Sequence, residues 1–345
     1  VVAVTTLSPS TEPLSSFGSY AIQRFLQAPA VDELVVLADR LPDPPKPVSG
    51  GDKRLHIERC WRNNSLPDLV RLARRIRAHR PDVVWFSLRY SMFGPNVISA
   101  FLGLLLPWWA KRAGVPTIML LHDFIDVVDP EKLGLKGAKL IKFVMQFLNP
   151  ILVRSWATTD SLIVMDPTYH QLLSRVCPSG RVKLVQHDLY PVPEFRAITP
   201  THKRILTMGY YGTYKRLDVL LRAFARVRTE FPEVELWIAG RDAQQTPGYL
   251  EAIKSRYAAD LENVRFLGYV TDSELFQVFW DCSVIALTNT VATGSSALLR
   301  YAALSGRGIV APDIEYFRGA VEDKWGVVTY AAGNVDDLYH KLVRV

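Results

Sequence analysis

Short apolar, β-branched runs alternate with longer helical patterns along almost the whole of this 345-residue chain. In the first half the runs VVAVTTL, ELVVLA, DVVWFSL, TIMLLHD and SLIVMD are typical of buried parallel strands, because they are apolar almost throughout. Stretches such as LPDLVRLARRIRAHR lie between them, with Leu69, Leu72 and Ile76 on one helical face. Strands alternating with helices predict a doubly wound α/β fold.

The alternation stops once, at the proline-rich stretch VPEFRAITP, and then resumes. KRILTMG, VELWIAG, VRFLGYV, SVIALTN and GIVAP are predicted strands, and LDVLLRAFARVRTEF is the first helix between them. A chain of this length exceeds what one hydrophobic core usually supports. We therefore predict two Rossmann-like domains with mainly parallel sheets, residues 1–195 and 203–345. They are expected to face each other across a cleft lined by the carboxyl ends of the strands, where such sheets bind ligands.

Composition limits the kind of protein and its partners. Hydrophobic residues make up 49% and charged residues 22% of the chain, which excludes a largely disordered protein. The net charge of +7 predicts anionic partners, but the basic residues are dispersed and no nucleic-acid recognition motif is visible, so nucleic acid is not expected. The three cysteines form no CxxC pair and no metal-ligand cluster is seen, so no metal is expected.

Membrane insertion is also not expected. The apolar stretch from Val97 to Ala110 is interrupted by Pro107 and is shorter than the roughly 18 residues of a spanning helix, so it predicts a buried helix. The first residues lack the pattern of a signal peptide. We expect a cytoplasmic protein.

The segment MGYYGTYKRLDVLLRAF combines a strand end, two glycines, two cations and a helix start. Gly209 and Gly212 bear the turn, and Lys215 and Arg216 stand beside the first turn of the helix. Backbone amides, the helix dipole and two positive charges would then converge on one point, which favours a phosphate. A solvated basic turn without a ligand is the alternative.

Three further groups of polar residues follow predicted strands or begin helices. His122 and Asp123 follow the strand TIMLL, and His187 precedes the linker in VKLVQHDLYP; for each histidine a purely structural role is the alternative. A third group precedes the helix ALLRYAAL and could present hydroxyls and amides to an anion, or serve only as a helix cap. It consists of Thr293, Gly294, Ser295 and Ser296.

The segment MGYYGTYKRLDVLLRAF resembles the donor domain of the family 4 glycosyltransferases of the GT-B fold. The resemblance extends over VELWIAGRD, NVRFLGYV, SELFQVFWDCSVIAL and YAALSGRGIVAPD. The first half resembles the family more weakly, in SSFGSY, LLHDF and SLIVMD. The resemblance implies transfer of a sugar from a nucleoside-diphosphate sugar to an acceptor hydroxyl with retention of configuration. It implies no metal and no other cofactor.

The resemblance also implies roles for single residues. Lys215 corresponds to the lysine that neutralises the donor diphosphate, and His122 to a histidine near the centre of sugar transfer. Gly18 corresponds to a loop glycine whose backbone approaches the donor phosphate or the acceptor. Asp123 would support the neighbouring site.

Three positions depart from the family pattern. Tyr210 stands where the family has an arginine after the loop glycine, and Arg216 is the nearest substitute. Thr293 and Tyr301 stand in the places of two glutamates that contact the donor sugar and its ribose. The chain is therefore expected to be a divergent member, and the segment from Thr293 to Ser296 is the expected replacement.

A basic amphipathic stretch runs from Lys132 to Arg154, with its lysines among large apolar residues. Such a stretch predicts contact with an anionic membrane surface, although a core helix with a solvated basic edge is equally compatible. The corresponding family segment lies near the acceptor entrance. This implies a lipid-linked or glycolipid acceptor at the inner face of the membrane, in cell-surface polysaccharide synthesis, and peripheral attachment of the protein. The lysines concerned are Lys132, Lys136, Lys139 and Lys142.

Other classes of protein compete with this interpretation. A nicotinamide or flavin enzyme is set aside, because no GxGxxG follows the first strand or Gly209. A catalytically inactive transferase-like protein that only binds its ligand stays open, since the glutamate pair and the loop arginine are missing. A sugar-nucleotide epimerase of the same fold is the other open alternative. Turnover of the donor separates these readings.

Overall fold

Two α/β units make up the computed structural model of the chain. The structure describes residues 1–10, 12, 14–42, 52–124, 138–185, 200, 202–243, 246–291, 297–322 and 326–345. Described residues up to 124 and from 140 to 185 belong to the first unit, and those from 200 onward to the second. The predicted boundary between 195 and 203 falls mostly on residues outside this description and stays a prediction.

The first unit is a seven-stranded parallel sheet in the order β3-β2-β1-β4-β5-β6-β7. Its strands are β1 (Val2–Val4), β2 (Leu34–Asp39), β3 (Leu55–Trp61), β4 (Val84–Leu88), β5 (Thr117–Leu121), β6 (Ser161–Val164) and β7 (Val182–Leu184). Its helices are α1 (Ser15–Gln27), α2 (Leu66–Ala78), α3 (Val97–Leu104), α4 (Leu106–Arg112), α5 (Ala138–Trp156) and α6 (Pro167–Ser174).

Helix boundaries in this unit follow local chemistry. Ser65 begins α2 by accepting a hydrogen bond from the Asp68 amide, and Asp166 begins α6 in the same way. The stretch from Val97 to Ala110, predicted as one buried helix, forms two. The break lies at Leu105, just before Pro107, which lacks the amide that an uninterrupted helix would require there.

The sheet of the first unit is covered on both faces by apolar side chains. Trp61, Phe93 and Trp156 are fully buried in the larger cluster, and α1 packs into the smaller one through Ile22. Burial of one such large side chain stabilises the fold by roughly 1.5 to 3 kcal/mol. The apolar runs identified in the sequence are therefore the central strands of this sheet.

The second unit is a six-stranded parallel sheet in the order β10-β9-β8-β11-β12-β13. Its strands are β8 (Arg204–Tyr211), β9 (Glu235–Asp242), β10 (Val264–Gly268), β11 (Val284–Ala286), β12 (Gly308–Pro312) and β13 (Val327–Tyr330). Its helices are α7 (Leu217–Glu230), α8 (Tyr249–Arg256), α9 (Asp272–Trp280), α10 (Ala297–Leu304), α11 (Glu315–Glu322) and α12 (Val335–Arg344).

Strand order defines where a ligand can bind in the second unit. From β8 the chain builds the sheet toward β10, and it then crosses back to place β11 on the other side of β8. The loops after β8 and β11 therefore diverge and leave a crevice at the carboxyl edge between them. Within the described residues, no helix is long and apolar enough to span a membrane.

Candidate active site

The loop after β8 leads directly into a tight turn beside the crevice of the second unit. Gly209 has a φ of 139°, a conformation that side-chain-bearing residues rarely adopt. A short 3-10 turn spans Thr213–Lys215, and Arg216 follows in the left-handed conformation before α7 begins. This turn brings Lys215 back toward the strand end.

The ammonium group of Lys215 lies above the glycine of the strand end. Its Nζ would be 3.3 Å from a Cβ at Gly209, so glycine leaves the space that the lysine uses. Nζ donates to the side-chain oxygen of Asn289, beyond β11, at 3.4 Å. Thr288 stabilises the same turn, because its hydroxyl donates a hydrogen bond to the backbone carbonyl of Lys215. The contacts of Lys215 therefore span the crevice between β8 and β11.

The charge of Lys215 is only partly compensated. Burial lowers the pKa of Lys215 to about 8. Among the described residues, no carboxylate lies within ion-pair distance of it. The described contacts of this half-buried cation are one amide oxygen and the ring of Tyr214, whose centroid lies 5.8 Å from Nζ. Such a cation favours an anion beside it, because the anion replaces the lost hydration. This geometry suits the phosphate site predicted from the sequence.

Arg216 has a different partner. Its Nε and Nη2 donate to the two carboxylate oxygens of Asp218, each at 2.9 Å. This bidentate pair raises the pKa of Arg216, and Asp218 also faces Arg222 at 3.5 Å. The geometry therefore does not favour Arg216 as the substitute phosphate cation that the sequence suggested.

Several residues of this edge escaped the sequence analysis. Gly240 lies in register with Gly209 on the neighbouring strand, and Arg241 lies in register with Tyr210. Asn289 was not identified either, although it follows an apolar strand as polar site residues often do. The glycine and arginine near the end of VELWIAGRD could have indicated this part of the site, since a glycine in a strand often marks close approach of two backbones.

His122 stands at the carboxyl edge of the first unit. Its amide donates to the carbonyl of Leu88 at 2.9 Å, which extends the pairing of β4 and β5 by one residue. Its Nε2 shares a hydrogen bond of 2.8 Å with the hydroxyl of Ser87, a fully buried residue of β4. The Phe17 ring meets the imidazole edge-on, with centroids 4.7 Å apart. Two neighbours thus fix the orientation of the imidazole.

Asp123 is held by the loop after β4. Its Oδ1 accepts a 2.7 Å hydrogen bond from the amide of Tyr90, and its Oδ2 lies 3.6 Å from Nε of Arg89. Desolvation raises the pKa of Asp123, and Arg89 and the Tyr90 amide oppose this shift. Asp123 therefore stabilises the start of the loop after β4, at Arg89 and Tyr90, beside His122.

Gly18 lies in a helix and not in the loop that the resemblance implied. SSFGSY is not a loop but lies within the first turns of α1, with Gly18 buried. A Cβ at Gly18 would lie 2.1 Å from the carbonyl oxygen of Thr6. The glycine thus allows α1 to pack against the backbone after β1, and this contact, not a free loop, accounts for it.

The structure also places Tyr301 and Lys142, but not the remaining predicted residues. Tyr301, which stands at one of the glutamate positions, is buried in the core of the second unit against Phe276, with ring centroids 5.6 Å apart. Lys142 is exposed on α5, and the side chain of Lys139 is not described. The remaining predicted residues lie outside the described part of the chain. They are Lys132, Lys136, His187, Thr293, Gly294, Ser295 and Ser296.

The second unit has a recognisable family signature. Residues 202–345 match the model of the family described as Glycosyl transferases group 1. The phosphatidyl-myo-inositol mannosyltransferase of Mycobacterium tuberculosis is 33% identical over 123 residues, and that of Mycobacterium leprae 28% over 137 residues. These matches cover 35% and 39% of this chain, and only 31% and 35% of the relatives' lengths.

Solved structures resemble the chain over nearly its whole length. Sucrose-phosphate synthase from Thermosynechococcus elongatus aligns with a TM-score of 0.71 at 14% identity, covering 99% of this chain and 88% of the other. The Anabaena protein HepE in complex with UDP and glucose aligns with a TM-score of 0.68 at 15% identity and the same coverage. At such identities the likeness establishes only the fold. It is the GT-B fold of two α/β units, each with a parallel sheet, as predicted.

Proposed function

We propose that the chain is a glycosyltransferase that moves a sugar from a nucleoside-diphosphate sugar to an acceptor hydroxyl. The observation that carries this proposal is Lys215, a half-buried ammonium group at the crevice of a unit that matches the group 1 family. HepE, a structural neighbour, has been crystallised with UDP-glucose. A sugar nucleotide in the same crevice of this chain would place its diphosphate against Lys215.

The chemistry asked of such a site is mostly electrostatic. When the bond between the sugar and the diphosphate breaks, negative charge builds up on the leaving oxygen. A positive group already in place stabilises that charge without reorganisation. Lys215 is held for this task by the Asn289 amide and by the Thr288 hydroxyl, which fixes the turn. Asn289 also keeps the ammonium at the crevice before a donor binds.

Retention of configuration and independence of a divalent metal are part of the proposal. Both follow from the family resemblance, and Lys215 provides a cation of the protein's own for the leaving group. Product stereochemistry, measured by NMR, and turnover after treatment with EDTA test these two points separately. An inverted product, or activity lost to EDTA and restored by a divalent ion, contradicts the corresponding point.

The first experiment is a calorimetric screen of UDP, GDP, ADP and dTDP against the purified chain. One nucleotide is expected to bind tightly, and Lys215→Ala should weaken it by about 1.5 to 3 kcal/mol, the range for a hydrogen bond to a charged group. Lys203→Ala is the matched control, because Lys203 belongs to the same unit but pairs with Glu233 at its exposed side. Binding that is absent, or equally weakened in both variants, contradicts the proposed donor site.

Turnover separates the active enzyme from its alternatives. The bound nucleotide, supplied as its sugar conjugates, should be slowly hydrolysed or transferred by the wild-type chain and not by Lys215→Ala. An inactive binding protein would bind the nucleotide without turnover. An epimerase would convert the sugar while it is still attached or release it with changed configuration, which chromatography of the sugar detects.

The acceptor is proposed to be a lipid-linked saccharide or glycolipid reached at an anionic membrane. Two relatives are named for mannosyl transfer to a phosphatidyl-myo-inositol. In α5 the rings of Phe143 and Phe147 are 58% and 62% exposed, pack against each other at 5.1 Å, and continue to the half-exposed Ile151. Lys142 is exposed beside them. Aromatic rings flanked by lysine suit a lipid surface.

A vesicle-binding assay tests this surface. Phe143→Ser combined with Phe147→Ser should weaken binding to vesicles with phosphatidylglycerol at least about tenfold, because two large apolar side chains no longer insert. Ile98→Ser with Leu102→Ser is the matched control, since α3 exposes these residues at the same spacing in the same unit. Equal losses in both double variants, or no vesicle binding by the wild type, contradict the assignment to α5.

A further inference from the structure

A diphosphate carries several negative charges, and Lys215 provides only one positive charge. Arg216 stands next in the chain, but its guanidinium is engaged by both oxygens of Asp218. The carboxyl edge of the same sheet has another cation. It is Arg241, the last residue but one of β9.

Arg241 lies on the strand beside the lysine loop. Strand β9 pairs with β8 in parallel, and Arg241 is in register with Tyr210. The guanidinium carbon lies 5.3 Å from the ring centroid of Tyr210 and 5.8 Å from that of Tyr269, which follows β10. Two aromatic rings, one on β8 and one just after β10, thus contact one guanidinium, an arrangement that limits its motion.

The backbone between the two cations is bare. Gly209 and Gly240 are in register, and a Cβ at Gly240 would lie 1.9 Å from the carbonyl oxygen of Gly209. The Lys215 ammonium lies 3.3 Å from the Cβ position of Gly209, and Arg241 directly follows Gly240 in β9. Both cations therefore belong to the surroundings of a glycine pair that has no side chains and that an extended phosphate chain can approach.

The neighbouring acidic residue is committed elsewhere. Asp242 accepts hydrogen bonds from the amides of Gly248, at 2.6 Å, and Leu250, at 2.9 Å. These bonds fix the start of α8 and direct the carboxylate toward that helix.

We propose that Arg241 is the second cation of the donor site and binds the phosphate nearer to the nucleoside, while Lys215 binds the phosphate nearer to the sugar. The inference rests on the proposed function, because it assigns a residue to the same donor. Tyr210 and Tyr269 act as positioning residues that hold the guanidinium at the edge of the sheet. A guanidinium suits this role, since its planar donors match two phosphate oxygens at once.

The test compares a nucleoside diphosphate with its nucleoside. The one of UDP, GDP, ADP and dTDP that the wild type binds is titrated alongside its nucleoside against Arg241→Ala and Arg241→Lys. Arg241→Ala should weaken the diphosphate ten- to hundredfold and the nucleoside less than threefold. Arg241→Lys should recover part of the loss. Arg265→Ala is the control, because Arg265 lies in β10 of the same sheet but pairs with Glu235.

The outcomes differ for the two proposals. Unchanged diphosphate affinity in Arg241→Ala overturns this inference, and so does an equal loss for diphosphate and nucleoside, which would place Arg241 on the base. Thermal unfolding of each variant confirms that it is folded. If the wild type binds none of the four diphosphates, the proposed function itself fails, and this inference fails with it.

Discussion

Gly209 and Gly240 meet so closely that a single added methyl group at Gly240 would lie 1.9 Å from the Gly209 carbonyl oxygen. Both residues lie in register two positions before the ends of parallel strands, and both have positive φ, 139° and 122°. The turn after Gly209 carries Lys215, so the position of the lysine depends on this contact. The glycine pair therefore links the stability of the sheet to the geometry of the candidate donor site.

Gly240→Ala is expected to destabilise the second unit and to weaken nucleoside diphosphate binding. The added Cβ meets backbone, which cannot yield as a flexible side chain does, and positive φ adds strain of about 1 kcal/mol or more. We expect a loss of at least about 2 kcal/mol in the free energy of unfolding, measured with denaturant.

Gly248→Ala is the matched control for this prediction. Gly248 has a φ of 81°, but no atom lies within 4 Å of its Cβ position. Its replacement should cost only the backbone strain, about 1 kcal/mol, and leave nucleotide binding nearly unchanged. If the two variants lose the same stability, the contact between Gly209 and Gly240 is not responsible.

Central strands were predictable from the sequence because they are buried on both faces and therefore apolar throughout. The edge strand β10 was also predicted, as VRFLGYV, but the other three edge strands were not. In β3, which lies at the edge of its sheet, the sequence LHIERCW mixes exposed polar and buried residues, and no apolar run marks it. The edge strands β7 and β13 are short and were missed for the same reason. Burial on one face leaves a weaker sequence pattern than burial on two.

The candidate sites were only half predictable. Lys215 could be found, because the glycines and the helix start that surround it are close in sequence. Its partner Asn289 is 74 positions away and Ser87 is 35 positions from His122, and only the pairing of parallel strands brings them together. Asp218, in contrast, is only two residues from Arg216, so this ion pair could have been predicted from the sequence.

Ser87→Ala should lower the turnover of a glycosyl acceptor about fivefold while donor affinity stays within about twofold, since one neutral hydrogen bond contributes about 1 kcal/mol. The serine hydroxyl binds Nε2 of His122 and so helps to fix which ring nitrogen carries the proton. Its loss should also shift the pH dependence of turnover. NMR of the imidazole nitrogens reports the tautomer directly.

Two variants control the Ser87 prediction. Ser87→Thr keeps the hydroxyl and should recover most of the turnover. Ser155→Ala removes another buried hydroxyl of the first unit, one that donates to the Leu152 carbonyl within α5, and should leave the pH profile unchanged. A Ser87→Ala enzyme with the wild-type pH profile and turnover would show that the hydrogen bond has no part in catalysis.

Lys215→Met should stabilise the fold at pH 7 while it removes donor binding. The pKa of Lys215 is lowered from 10.5 to about 8 by burial, so the folded state at pH 7 bears the cost of a desolvated charge. One pKa unit corresponds to about 1.4 kcal/mol, which gives a gain on the order of 1 to 3 kcal/mol.

The pH dependence of this gain has a fixed sign. Between pH 8 and 10.5 the unfolded chain binds the proton and the folded chain does not, so wild-type stability attributable to Lys215 rises with pH through this window. The advantage of Lys215→Met should therefore shrink from pH 7 to pH 10. Denaturant unfolding at both values checks it, and a gain that is equal at both would contradict the lowered pKa.

Nucleoside diphosphate affinity should be nearly constant from pH 7 to 7.5 and fall above pH 8. The phosphate groups are fully ionised above about pH 7, so the remaining titration is that of Lys215, whose charge disappears as the pH passes its pKa of about 8. Affinity can fall by up to about tenfold for each pH unit beyond that point, because binding must then take up a proton. Lys215→Arg provides the decisive comparison, since a guanidinium stays charged throughout this range and its affinity should be independent of pH. Calorimetry at pH 7, 8, 9 and 10 gives both curves. Parallel curves for the wild type and Lys215→Arg would mean that another group controls the titration, and Lys215 would no longer be the cation that meets the diphosphate.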